Sequence, residues 1–126
     1  MSALVVDASI AVKWFLPEDY STQALGLLAG DRSLHAPELI LAEFGNTLWK
    51  RCRRGDLEKH HVEGLLADFK RSSLTVQPMA DLLETAMVFS LGSGRSFYDC
   101  VYLALAEALD CRLVTADLKF HAAMKG

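Results

Sequence analysis

Apolar residues along this chain follow two spacings: short unbroken runs, and stretches in which they recur every three or four positions. Leu4-Val5-Val6 is the first run. It has no polar alternation, as in a strand buried on both faces of a parallel sheet, and it stops at Asp7. Ser9 then opens a short helix, apolar at Ile10, Val12, Trp14 and Phe15, which Pro17 and Glu18-Asp19 end. Ser21 or Thr22 can cap a second helix through Ala29, closed by Gly30-Asp31, and Leu34-His35-Ala36 is a second brief strand before Pro37. Glu38 through Arg54 is the longest helical pattern, with Leu41, Phe44, Leu48, Trp49 and Cys52 in step and Gly55 as its stop. Glu58 to Arg71 predicts the next helix, with Val62, Leu65, Leu66 and Phe69 on one face. Its adjacent His60 and His61 fall on different faces and suit a solvated edge rather than a ligand pair. Leu74-Thr75-Val76 is a third strand ended by Pro78, and Asp81 caps a helix to about Leu91. Gly92-Ser93-Gly94 forms a flexible entry to an apolar helix from Ser96 to Leu109. Arg112-Leu113-Val114-Thr115 is then a fourth strand, followed by Ala116-Asp117 and a short last helix with Phe120 and Met124.

Short strands separated by helices or helix pairs predict an α/β fold. It is doubly wound, with a short parallel sheet of about four strands, helices on both faces and right-handed crossovers. There are no internal repeats, low-complexity segments or linkers, so residues 1–126 are expected to form a single domain. In such sheets ligands gather at the carboxyl ends of the strands, where the strand order reverses.

Composition narrows the class. With 126 residues, 52% of them apolar, the chain can bury a real core. No apolar run approaches the ~18 residues that span a bilayer, and no basic stretch leads into an apolar segment at the start, so no membrane partner and a cytoplasmic location are expected. Cys52, Cys100 and Cys111 are odd in number, with no C-x-x-C and no zinc-type pairing with histidine, so they are expected in the core. The net charge of −3 argues superficially against a nucleic-acid partner. It hides a basic run, Lys50-Arg51-Cys52-Arg53-Arg54, and two divalent ions on an acidic cluster would bring the total to −3 + 4 = +1.

The chemistry centres on Asp99, a carboxylate at the start of a helix whose only other charge through Leu109 is Glu107. A buried ionised carboxylate costs several kcal/mol unless it is paired, hydrogen-bonded or bound to metal, and no Lys or Arg follows it within a helical turn. Asp7 and Asp117 both end strands. If the first and fourth strands lie side by side at ~4.8 Å, they share one rim of the sheet. The helix begun by Asp99 leads into the fourth strand, so its first turn comes down near that rim, and Glu43 can join from the long helix. Singly, Asp7 or Asp117 could be a helix cap and Glu43 a surface residue. Crowded together, such acids either protonate or hold a cation, and all-oxygen ligation points to Mg²⁺ or Mn²⁺. Ser9 and Thr115 are placed to orient carboxylates, and Asn46 to position a ligand or substrate oxygen.

In this order Val5-Val6-Asp7-Ala8-Ser9, Ala42-Glu43-Phe44-Gly45-Asn46, Tyr98-Asp99-Cys100-Val101-Tyr102-Leu103-Ala104-Leu105-Ala106 and Leu113-Val114-Thr115-Ala116-Asp117-Leu118-Lys119-Phe120 resemble the motifs of PIN-domain proteins of the VapC type. These are the toxin halves of prokaryotic toxin–antitoxin pairs, and the likeness runs the whole length. The resemblance implies a Mg²⁺-dependent endoribonuclease with Asp7, Glu43, Asp99 and Asp117 as catalytic and metal-binding acids and Ser9, Asn46 and Thr115 in support. It also implies an antitoxin partner and a homodimer. Many members continue into a further strand after the last helix, whereas this sequence stops at Gly126, so either the sheet is short by an edge strand or the sequence is trimmed.

Metal-assisted in-line hydrolysis of an RNA phosphodiester fits these acids, with Glu43 a candidate to orient the attacking water. A haloacid dehalogenase-type phosphohydrolase would want Asp-x-Asp after the first strand, where position 9 is Ser. A receiver domain would need an acidic pair there and an Asp after the third strand, where Gln77-Pro78 stands. A non-catalytic binding module with this fold is the remaining alternative, disfavoured by the presence of all four acids. For the antitoxin, Trp14, Phe15, Leu25, Leu27, Leu28 and the Val62 face offer more apolar surface than one core should need.

Overall fold

Among the described residues four short parallel strands form one sheet: β1 (Ala3–Val6), β2 (Ser33–Pro37), β3 (Thr75–Gln77) and β4 (Arg112–Val114), in the order β3-β2-β1-β4. The computed structural model describes residues 2–116. Asp117 and the expected last helix with Phe120 and Met124 lie outside the described residues. Val5 and Val6 are fully buried, which is why this run carries no polar alternation. The chain lays β2 and β3 to one side of β1 and returns to its other side for β4, so the order reverses between β1 and β4. Val6 pairs with Val114 across that reversal, and the Asp7 N–H donates to the Val114 carbonyl at 3.3 Å. The topological switch point, the place where such sheets take ligands, therefore lies beside Asp7 and Thr115.

The described residues also form six α-helices: α1 (Ala8–Phe15), α2 (Ser21–Ala29), α3 (Leu39–Arg54), α4 (Lys59–Lys70), α5 (Leu83–Ser93) and α6 (Phe97–Ala108). α6 packs on β1, β2 and β4, with α5 against it, and buries Cys100, Val101, Tyr102, Ala104, Leu105 and Ala106. α1, α3 and α4 meet through an aromatic cluster in which Phe44 and Phe69 stack at 4.1 Å and Phe15 stands edge-on to both. Burying each such ring stabilises the fold by about 1.5–3 kcal/mol, so this cluster is what fixes α3, and Glu43 with it, against α1.

Several expectations are corrected. Neither Ser21 nor Thr22 caps α2, which starts from Tyr20 in the left-handed region (φ 68°) without a side-chain cap. The Ser21 hydroxyl instead accepts from the Glu18 N–H at 3.0 Å and so holds the preceding turn. Asp81 caps nothing. It lies in a 3₁₀ turn, Ala80–Leu82, whose entry is tied by the Met79 N–H donating to Glu38 Oε1 at 3.0 Å. α5 runs through Gly92 to Ser93 and stops at Gly94, whose φ of 76° suits a residue without a Cβ. The apolar surplus assigned to a partner is largely interior, because Trp14 and Phe69 are buried and Phe15, Leu27, Leu28, Val62, Leu65 and Leu66 pack against the core. Leu25 of that set is exposed as expected, and further apolar exposure falls on α3 at Leu41 and Trp49 and on α5 at Leu83, Met87, Val88 and Leu91. The basic run is partly committed: Arg51 pairs with Glu18, Arg54 with Asp56, and Arg53 lies over the Trp49 ring.

Candidate active site

Asp7 ends β1 and caps α1, so one residue is both strand terminus and helix start. Its carboxylate is only 7% exposed, yet fully hydrogen-bonded. Oδ1 accepts from the Ser9 hydroxyl at 2.5 Å and the Ile10 N–H at 3.3 Å, and Oδ2 accepts from the Thr115 hydroxyl. The Ala116 N–H donates to Ser9 Oγ at 2.9 Å and closes the ring from the end of β4. Burial pushes the Asp7 carboxyl above its ordinary range, and the bonds from Ser9, Thr115 and Ile10 pull it back toward ionisation.

Glu43 projects from α3, and the Tyr102 hydroxyl of α6 donates to its Oε1 at 2.6 Å. Burial raises the Glu43 carboxyl, the Tyr102 hydrogen bond opposes this, and the charges of Asp7 and Asp99 raise it further. That repulsion is felt from two other elements, the end of β1 and the first turn of α6. Asp7 and Asp99 are therefore the charged neighbours that Glu43 senses.

Asp99 lies in the first turn of α6, where Ser96 caps the helix by accepting the Asp99 N–H at 3.1 Å. The helix is apolar as expected, but Asp99 is part-exposed and has a counterion on its N-terminal side: Arg95 Nη2 lies 3.2 Å from Oδ2. The missing downstream Lys or Arg is thus replaced by one four residues earlier. Serines fix that arginine's backbone, with the Ser90 hydroxyl donating to the Arg95 carbonyl at 2.6 Å and the Arg95 N–H donating to Ser93 Oγ at 3.1 Å.

Of the supporting residues, Ser9 and Thr115 touch Asp7, as their spacing suggested. Asn46 is exposed one turn beyond Glu43, and no hydrogen bond joins it to the three acids among the described residues. Asp117 lies outside the described residues. Tyr102 and Arg95 were not anticipated, although both fall at helical spacings from Asp99, three residues after and four before.

No three acidic, histidine or cysteine side chains stand close enough among the described residues to share an ion. The donor chemistry nevertheless fits a hard divalent cation. The side chains of Asp7, Glu43 and Asp99 offer only oxygen donors, and an ion there would relieve the part of the Glu43 shift that comes from the Asp7 and Asp99 charges.

The sequence matches the PIN domain family over residues 4–125. The chain belongs to the PIN-domain family. Ribonuclease VapC9 of Mycobacterium tuberculosis is 37% identical over 116 residues, 92% of this chain and 87% of that protein. Ribonuclease VapC3 of Pyrobaculum aerophilum is 35% identical over 116 residues, 90% and 88% of the two chains. Among solved structures, the VapC20 toxin of Mycobacterium tuberculosis, described as cleaving the sarcin-ricin loop, superposes with a TM-score of 0.74. It covers 95% of this chain and 94% of its own at 21% identity, a likeness of fold. The PIN family thus supplies the doubly wound sheet and the VapC-type ribonuclease relatives that the four motifs suggested.

Proposed function

We propose that this PIN domain, spanning residues 1–126, is a divalent-metal-dependent endoribonuclease that acts as the toxin of a toxin–antitoxin pair. The observation that carries the reading is that carboxylates from three separate elements are each held by a polar partner at one end of the sheet and helices: Asp7 by Ser9 and Thr115, Glu43 by Tyr102 and Asp99 by Arg95. The names of its ribonuclease relatives give the substrate class, RNA.

Asp7, Glu43, Asp99 and Asp117 would hold Mg²⁺ or Mn²⁺. Such an ion, when bound, supplies a more acidic water and neutralises charge on the leaving 3′-oxygen. The chain's own residues do the rest. Ser9 and Thr115 favour the ionised form of Asp7 and fix both its oxygens. Arg95 keeps Asp99 from bearing its charge unopposed at the start of α6. Glu43 orients the attacking water and accepts its proton, and Asn46, exposed on the same side of α3, reaches substrate oxygens.

An antitoxin partner follows from the toxin reading. A homodimer is supported by the apolar exposure of α5 at Leu83, Met87, Val88 and Leu91. A cytoplasmic location accords with an RNA substrate, and no helix among the described residues is long and apolar enough to cross a membrane.

The test is cleavage of end-labelled cellular RNA by the purified protein, with Mg²⁺, with EDTA, and with Asp99→Asn. Mg²⁺-dependent internal cuts that fall by orders of magnitude in the variant are expected. Cleavage that persists in EDTA, or at wild-type rate in Asp99→Asn, would remove the nuclease mechanism. Growth arrest on expression, relieved by a small neighbouring open reading frame whose product copurifies, tests the toxin role separately.

A further inference from the structure

Each of the three described acids has its own orienting group, and these differ in kind. Asp7 is held by two hydroxyls and a backbone N–H, Asp99 by a guanidinium, and Glu43 by a single phenol. Glu43 has the longest side chain of the three and therefore the most torsional freedom to lose. Its clamp, Tyr102, is 2% exposed, and the 2.6 Å bond joins α6 to α3 across 59 residues of sequence. The Ala8 backbone at the start of α1 also influences this phenol, so the hydroxyl sits where α1, α3 and α6 meet.

Tyr102 follows Asp99 by three residues, so both are on one side of α6, about 4.5 Å apart along its axis. The hydroxyl bond consequently references Glu43 to the same helical turn that carries Asp99. A phenol is suited to this duty. Its ring packs in the core while its single O–H engages one carboxylate oxygen and leaves the other unblocked. An ammonium or guanidinium in its place would neutralise the carboxylate and compete with a cation.

We infer that Tyr102 is a positioning residue for the nuclease reaction: its hydroxyl fixes Oε1 of Glu43 so that Oε2 remains available to the divalent ion and the water. The inference rests on the ribonuclease reading of this site.

Tyr102→Phe removes the hydroxyl and keeps the ring. Mn²⁺ affinity, measured by calorimetry on the metal-free full chain, should fall about tenfold, the order expected for a lost hydrogen bond to a charged group. At saturating Mn²⁺, kcat on RNA should fall about tenfold with KM for RNA unchanged. In a Glu43→Ala background, adding Tyr102→Phe should change Mn²⁺ affinity less than twofold, because the clamp has nothing left to hold. A variant that melts lower but binds Mn²⁺ and turns over like wild type would overturn the inference and leave Tyr102 a tether between α3 and α6. So would an equal loss of Mn²⁺ affinity with and without Glu43.

Should Tyr102→Phe fail to fold, the native chain carrying ¹³Cζ-labelled tyrosine decides the matter. The Tyr102 resonance should shift on Mg²⁺ addition and lose that response in Glu43→Gln; a resonance indifferent to Mg²⁺ would overturn the inference. A protein that binds no divalent ion at all defeats the ribonuclease reading itself, a result distinct from one that binds and cleaves normally without the hydroxyl.

Discussion

The Thr115 hydroxyl donates to Oδ2 of Asp7 across 108 residues of sequence, joining the ends of β1 and β4 at the point where the strand order reverses. With Ser9 on the other oxygen, this lets a carboxylate remain in a nearly closed space.

Replacing Thr115 by Val keeps the shape and removes the donor. The buried carboxylate then loses one of its two hydroxyl partners, and unfolding in urea at neutral pH should show a loss of about 1–3 kcal/mol. Ser9→Ala should cost at least as much, because its oxygen also accepts the Ala116 N–H. Wild-type stability in Thr115→Val would mean that the bond carries no net energy.

The pH dependence of the metal-free protein has a definite sign. Burial raises the Asp7 and Glu43 carboxyls in the folded state above reference values of 3.8 and 4.5. Over the window between unfolded and folded values the native state keeps protons that the unfolded chain has lost. Their stabilising contribution is therefore complete in acid, below the unfolded values, and is lost as pH rises through the folded ones. Glu43→Gln, neutral throughout, should gain in melting temperature relative to wild type between about pH 4 and pH 7, and saturating Mg²⁺ should cancel that advantage. A difference independent of pH would show that Glu43 is not destabilised by its surroundings.

Metal should also raise the melting temperature directly. At ten times the dissociation constant the linkage amounts to about 1.4 kcal/mol, roughly 5 °C for a domain of this size, with NaCl at equal ionic strength as the control. If Asp117 is the fourth acid, Asp117→Asn should stabilise the metal-free protein and remove most of the Mg²⁺ or Mn²⁺ response. A loss of about 1 kcal/mol or more with the response intact would make it a helix cap instead.

Phe44 is fully buried, stacked on Phe69 and edge-on to Phe15. Phe44→Ala should cost about 3–5 kcal/mol, read from denaturant midpoints. Since Glu43 is its neighbour on α3, activity at a temperature where the variant is still folded should fall as well.

The sheet was legible because β1 is a pure aliphatic run that stops at an acid, which leaves little choice of element or burial. Fold rules allow β1 and β4 to be neighbours, which puts Asp7 and Asp117 on one rim; the structure pairs the strands and shows Thr115 on Asp7, while Asp117 lies outside the described residues. Arg95 is not evident from the apolar stretch that follows Asp99, because the first turn of a helix also meets the residue four positions before it. Tyr102 escaped because a tyrosine among alanines and leucines reads as core; its ring is indeed core, and only the hydroxyl belongs to the site. The end of α5 was misplaced because Gly92 looked like a stop, while the left-handed turn falls at Gly94. Trp14, Phe15 and the Val62 face were taken for a partner surface because residue type alone cannot show that α1, α3 and α4 cover one another.

The strand order also bears on when activity can arise during synthesis. Asp7 leaves the ribosome 108 residues before its partner Thr115 and the strand that leads to it. A nascent or prematurely terminated chain that ends before β4 has Asp7 without its second hydroxyl and without the far wall of the crevice. Incomplete products of this gene should therefore be inert toward RNA, and the cell that makes them is exposed to the nuclease only once translation has passed residue 115.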